Sequence, residues 1–120
     1  MSKKTVVIGA SDNPDRYAYK ATEMLTNHGH AVIPVGLTNG QIGNIAILKD
    51  KPSVTNVDTV TLYVGYKNQP FWYDYILGLK PKRIIFNPGT ENPEFQKMAG
   101  EKGIDVQEAC TLVLLSTGQY

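Results

Sequence analysis

The run Thr5-Val6-Val7-Ile8, closed by Gly9, constrains the chain more than any other segment. Consecutive β-branched residues without polar alternation suit a strand buried on both faces, and such strands belong to parallel sheets flanked by helices. A parallel sheet needs a crossover after each strand, and the sequence supplies one. Asn13-Pro14 offers a capping side chain followed by proline at a first helical position, and Gly29 offers a stop. Between them Tyr17, Ala18, Ala21, Met24 and Leu25 share one helical face while Lys20, Glu23 and Asn27 share the other.

The same alternation continues to the end. Residues 31–35 read as a second strand, and the uncharged stretch 36–48 as a loop with an edge strand over 45–47. A turn over 52–56 leads to a strand over 58–64, a helix over 70–79 and a strand over 83–86. Asn92-Pro93 repeats the cap-and-proline start, Gly103 ends that helix, and a strand over 105–109 and a short helix over 111–116 follow. Strands and helices at this spacing predict right-handed β-α-β units. The expected fold is a three-layer α/β sandwich on a mostly parallel sheet of five or six strands, in a single domain over 1–120.

Composition narrows the function classes. The 120 residues carry 12 Lys and Arg against 11 Asp and Glu, a net charge of +1, so binding of nucleic acid or a membrane surface by bulk charge is not expected. The single cysteine, Cys110, has no internal disulfide partner, which suits a reducing compartment. The apolar run over 5–10 meets Asp12 too soon for a signal peptide, and no stretch approaches the ~20 residues that cross a bilayer. A soluble, cytoplasmic protein is expected. His28, His30 and the distant Cys110 do not make a zinc spacing, so no metal is expected.

In an open parallel sheet, ligands sit outside the carboxyl ends of the strands. The informative loops therefore run from Gly9 to Asn13, Val35 to Asn39, Gly65 to Gln69 and Asn87 to Asn92. The first leads into a helix whose free N–H groups form an anion site. Gly9 lets a ligand approach the backbone and Ser11 adds a donor, but the G-x-G-x-x-G spacing is missing. An equal reading is that Ser11 and Asn13 cap the helix. Arg16 and Lys20 stand one turn apart near the positive end of that helix, where repulsion and the dipole disfavour each by a few tenths of a kcal/mol. An anionic ligand removes that conflict; partial neutralisation by Asp12, Asp15 and Glu23 is the alternative. No Asp or Glu lies between Glu23 and Asp50, and no Arg either, which disfavours a nicotinamide cofactor at the end of the second strand.

Four blocks then carry a resemblance: Val-Ile-Gly-Ala-Ser-Asp-Asn-Pro-Asp-Arg-Tyr, Gly-His-Ala-Val-Ile-Pro-Val, Asn-Pro-Gly-Thr-Glu-Asn and Glu-Ala-Cys. In that order and spacing the chain resembles the small stand-alone CoA-binding domain proteins, which are similar to the CoA-binding domain of the succinyl-CoA synthetase α subunit. The resemblance runs from Lys4 to about Ser116. It implies a Rossmann-like domain holding coenzyme A or an acyl-CoA through Gly9, Ala10, Ser11, Asn13, Pro14, Arg16, Tyr17 and Lys20, with Pro34 and Val35 nearby. Gly65, Tyr66 and Lys67, and Asn87, Pro88, Gly89 and Thr90, would complete the cleft. Val64-Gly65-Tyr66-Lys67 stands where relatives often carry a proline-rich turn, so Lys67 is either a phosphate contact or a solvated loop lysine. The phosphohistidine segment of the synthetase has no counterpart, and no ligase activity is implied.

Catalytic groups are sparse. His28 and His30 fall at the edge opposite the ligand loops, and Glu91 and Glu108 lack evident partners. Cys110 follows the last strand at the ligand edge; it is a small buried hydrophobe or a redox-active thiol. The rings of Phe71, Trp72, Tyr73 and Tyr75 cannot all face one sheet, which favours a homodimer through the outward ones. Binding without catalysis is the leading reading. A small enzyme acting on a CoA ester or nucleotide-linked substrate, and a regulatory interaction protein with an empty cleft, remain open beside it.

Overall fold

The N-terminal β-branched run forms β1 (Thr5–Ile8), and all four of its side chains are buried. In the computed structural model, which describes residues 2–120, β1 pairs in parallel with β2 (Val32–Val35) on one side. On the other it pairs in parallel with β5 (Thr59–Leu62). β6 (Arg83–Phe86) and β7 (Asp105–Glu108) extend the sheet in the same sense, giving the order β2-β1-β5-β6-β7. The strand periodicity of two sorts the core into two faces. Val6, Ile8, Val60, Leu62, Ile84 and Phe86 pack with Trp72, Ile76, Phe95 and Ala99 of the helices on one side. Val7 and Ile85 pack with Ala18, Leu25 and Leu115 on the other. The fold is a Rossmann-like α/β sandwich on five parallel strands.

Helix α1 (Tyr17–Asn27) crosses between β1 and β2, α2 (Tyr73–Leu79) between β5 and β6, and α3 (Pro93–Glu101) between β6 and β7; α4 (Thr111–Ser116) closes the chain. α3 starts as its sequence predicts, with Asn92 Oδ1 accepting from the Phe95 N–H at 3.1 Å and Pro93 in the first turn. Among the described residues no helix is long and apolar enough to cross a membrane.

Three elements differ from expectation. Within 36–48 the expected edge strand over 45–47 is present as β4 (Ile45–Ile47), but residues expected as loop form a second strand, β3 (Gly40–Ile42), so the segment is a hairpin joined by the two-residue turn Gly43-Asn44. Ile42 and Ile47 are buried. The Leu48 N–H donates to the Pro34 carbonyl and the Gly36 N–H to the Leu48 carbonyl, both at 2.9 Å, so the hairpin exit covers the free edge of β2. α1 begins at Tyr17 rather than at Pro14, because Asn13 Oδ1 takes the Asp15 N–H at 3.0 Å and turns residues 13–16 outside the helix. Its buried face is Ala18, Ala21, Thr22 and Leu25, while Tyr17 is exposed. The helix expected from Pro70 is preceded by a 3₁₀ turn (Tyr66–Trp72) that contains Pro70.

At the edge opposite the ligand loops, Tyr120 closes the sheet. Its hydroxyl shares a 2.5 Å hydrogen bond with Thr5 Oγ1, and the Arg83 guanidinium lies 4.4 Å from its ring centroid. His30 packs beside that ring, and its Nδ1 accepts the Lys3 N–H at 2.9 Å. Burial, and then the charges of His28 and Lys3, hold the His30 pKa below its ordinary value. A depressed folded-state pKa means that the unfolded chain takes up the proton first as pH falls. The neutral-His30 contribution is therefore present above about pH 6.5 and lost as pH falls through the folded value. Urea titrations at pH 7.5 and pH 5.0 should show a smaller pH-dependent loss of stability in His30→Gln than in the wild type; identical losses would exclude His30 as a contributor.

Candidate functional site

The strand order places a topological switch between β1 and β5, since β1 leaves the sheet toward α1 on one face and β5 toward α2 on the other. A crevice at the carboxyl ends of the two strands follows from this divergence. Two adjoining clefts open there, of about 780 Å³ and about 610 Å³, and both are lined by Gly9, Arg16, Tyr63 and Gly65. The larger continues along Ala10, Leu37, Thr38, Val64, Lys67, Phe71 and Trp72. The smaller continues along Ser11, Tyr17, Pro88, Gly89 and Thr90. Arg16 stands at their junction.

Gly9 makes the crevice possible. Its φ is +92°, and a Cβ there would lie 2.9 Å from the Tyr63 carbonyl oxygen and from Val64 Cγ2. The close approach is thus to the neighbouring strand's own backbone, a different use of this glycine from the ligand approach expected of it. The N–H groups of Gly9 and Ala10 both donate to the Val35 carbonyl at 3.0 Å, so neither is free for a ligand. Gly36 holds the loop from beyond; a Cβ on it would lie 2.7 Å from the Ala10 carbonyl oxygen. Ser11 Oγ accepts the Asn13 N–H at 3.1 Å, so both side chains of the capping reading cap the loop rather than the helix.

The amides of Ser11 and Asp12 have no acceptor among the described residues, and α1 adds further donors. Its first-turn amides, on Tyr17, Ala18 and Tyr19, have no acceptor among the described residues, no side chain caps them, and the first turn holds no acidic residue. Such amides carry the positive end of the helix dipole. Arg16, the N-cap residue, is exposed beside them. Amides without acceptors next to a guanidinium form a donor set matched to phosphate oxygens.

The structure brings Gly9, Ala10, Ser11, Arg16, Tyr17, Gly65, Lys67, Pro88, Gly89 and Thr90 onto the cleft surface. Seven other expected residues lie off it. Asn13 and Pro14 form the turn before α1. Lys20 is exposed, with its ammonium 5.4 Å from the Tyr17 ring centroid. Pro34 and Val35 are buried in β2 and supply backbone carbonyls. Tyr66 lines a separate depression beside Pro93 and Glu94. Asn87 is 2% exposed, and its amide is spent inside the protein. Nδ2 donates to Thr61 Oγ1 at 2.7 Å and to the Leu62 carbonyl at 2.9 Å, and Oδ1 accepts the Thr111 N–H at 2.9 Å.

Three cleft residues escape a reading of the sequence. Tyr63 lines both arms, and its buried hydroxyl has no hydrogen-bond partner among the described residues. Burial pushes its pKa well above the ordinary phenol value. Leu37 and Phe71 line the larger arm while 73% and 59% exposed, and the Lys51 ammonium lies 3.9 Å from the Phe71 ring centroid. The other aromatics of the Phe71 cluster turn inward: Trp72 is buried, Tyr73 stacks on Phe95 with centroids 4.3 Å apart, and the Tyr75 hydroxyl donates to the Pro52 carbonyl at 2.6 Å. Cys110 is half-buried at the N-cap of α4 and lines neither arm. Glu91 Oε1 accepts the Gly89 N–H at 3.0 Å within its own turn. No group of three His, Cys, Asp or Glu among the described residues is placed to hold a metal ion.

A family model described as "CoA binding domain" matches residues 3–116. The Bacillus subtilis (strain 168) protein YneT, itself uncharacterized, is 27% identical over 103 residues, 85% of this chain and 76% of that protein. An uncharacterized protein of known crystal structure superposes with a TM-score of 0.97 at 49% identity, covering 100% of this chain and 99% of its own. A hypothetical protein from Pyrococcus horikoshii OT3 shares the fold, with a TM-score of 0.86 at 24% identity over 97% of this chain and 83% of that one.

The contact at Gly9 has a measurable consequence. In chemical denaturation, Gly9→Ala should lower the unfolding free energy by about 1–3 kcal/mol, the usual cost of holding a side chain in a sparsely populated backbone region. An unchanged unfolding free energy would show that β1 and β5 do not approach as described.

Proposed function

The chain belongs to the CoA-binding-domain family, and we propose that its cleft binds coenzyme A or an acyl-CoA without turning it over on its own. The observation that carries this reading is the position of Arg16, at the junction of the two arms and directly before the acceptor-free amides of α1. Coenzyme A has two extended halves, adenosine and pantetheine, joined by a pyrophosphate. A two-armed crevice with its cationic and N–H donors at the junction suits that shape, and each arm is of ordinary ligand-pocket size. In this reading the α1 amides, Ser11 and Arg16 hold the pyrophosphate, and Lys67 is a second phosphate contact. Adenine takes an adjoining arm of the cleft. Val35 and Asn87 act from behind, by fixing the loops after β1 and β6.

Isothermal titration calorimetry should detect CoA binding. A hydrogen bond to a charged group is worth about 1.5–3 kcal/mol, so Arg16→Ala should weaken binding by roughly 10- to 100-fold. Failure of the wild type to bind at millimolar CoA would remove the proposal, and unchanged affinity in Arg16→Ala would remove the guanidinium from the site.

A further inference from the structure

The cleft has facing walls, the loop after β5 and the loop after β6, and the parallel ladder between these strands stops at the Leu62–Phe86 pair. Beyond that point the side chains of Gln69 and Asn92 join the two walls, and among the described residues Gln69 alone bonds the backbone of both. Gln69, on the 3₁₀ turn, is fully buried. Its Nε2 donates to the Val64 carbonyl at 2.9 Å, in one wall, and to the Thr90 carbonyl at 2.7 Å, in the other. Its Oε1 accepts from Asn92 Nδ2 at 2.9 Å. Asn92 is itself anchored, donating to the Tyr73 hydroxyl of α2 at 2.8 Å and accepting the Phe95 N–H of α3 at 3.1 Å. Val64 faces the larger arm and Thr90 the smaller.

We infer that Gln69 is a positioning residue that sets the separation of the two cleft walls and so the fit of the ligand between them. Its effect on affinity rests on the coenzyme A reading; the coupling of the walls does not. The task needs two N–H donors and one acceptor on a planar head. A carboxylate offers no donor to the two carbonyls, and an apolar side chain leaves both carbonyls without a partner and takes one acceptor from the Asn92 amide. An ordinary core residue supplies stability. Gln69 also transmits position, because Val64 and Thr90 are held by opposite hydrogens of the same amide.

The test is Gln69→Met, which keeps the length of the side chain and removes all three hydrogen bonds, read by amide hydrogen exchange and by CoA titration. Exchange should accelerate at least tenfold at Gly89 and Thr90, in the wall that does not contain residue 69, as well as at 64–68, and the CoA Kd should rise at least tenfold. Leu25→Ala, a core truncation remote from the cleft, should lower stability while leaving both readouts unchanged. If Gln69→Met does not fold, Gln69→Asn, with the same amide on a shorter stem, is measured in its place against the same expectations. Acceleration confined to 64–68, or a CoA Kd within twofold of wild type in the folded variant, would overturn the inference. A wild type that binds no CoA would instead overturn the ligand reading, and exchange at Gly89 and Thr90 would still decide the coupling.

Discussion

Where β1 ends, its backbone and that of β5 come so close at Gly9 that no side chain fits between them. The chain must then leave the sheet at a sharp angle, and the Val35 carbonyl, accepting from both Gly9 and Ala10, fixes the direction. Gly36 backs the loop from the far side. With the loop held on both sides, the Asn13 turn delivers Arg16 and the first turn of α1 to the crevice with their donors outward. The electrostatic character of the site is thus a consequence of a packing constraint two strands wide.

Behind the crevice the protein spends polar groups where a sheet of this kind is usually apolar. Thr61, Asn87 and Thr111 form a buried cluster at the carboxyl ends of β5 and β6 and the start of α4, with the two threonine hydroxyls 2.7 Å apart. Gln69 and Asn92 form a second cluster on the other side of the loop after β6. Strand ends release backbone carbonyls and N–H groups that must find partners, and these side chains provide them. Each bond adds about 0.5–1.5 kcal/mol net, but leaving any one unmade costs more, which favours one arrangement of the loops over its neighbours. Tyr63 is the exception. Its hydroxyl is buried without a partner among the described residues, on one of the four residues shared by both arms of the cleft.

Much of this architecture is legible in the sequence, because its signals are local. The run at Thr5–Ile8 specifies a doubly buried strand, and Asn92-Pro93 specifies a helix start; both describe the structure as it stands. Of the hairpin over 40–47, the strand over 45–47 is legible but its partner over 40–42 is not, because Gly40-Gln41-Ile42 is too short and too glycine-rich to show a period and is ordered as a strand by pairing with β4. Asn13 misleads for a related reason: a capping residue before proline opens α3 at Asn92, but at Asn13 its side chain closes a turn instead. The site divides in the same way. Parallel topology places the loops after β1, β5 and β6 on one edge, so the segments are readable. Whether a given side chain faces ligand or core depends on distant partners. Asn87 turns inward because Thr61 and Thr111 await it, while Tyr63 at a strand end, Leu37 in a ligand loop and Phe71 in an aromatic cluster carry no local signal that they line the cleft.

Under the proposed function, the acceptor-free amides opening α1, with Arg16 beside them, hold the phosphates of coenzyme A. A titration of ¹⁵N-labelled protein with CoA, followed by amide resonances, addresses it most directly. The resonances of Tyr17, Ala18 and Tyr19 should move furthest and saturate together, and pantetheine, which has no phosphates, should leave them in place. Saturable shifts that leave these three amides still and gather at another part of the surface would contradict it.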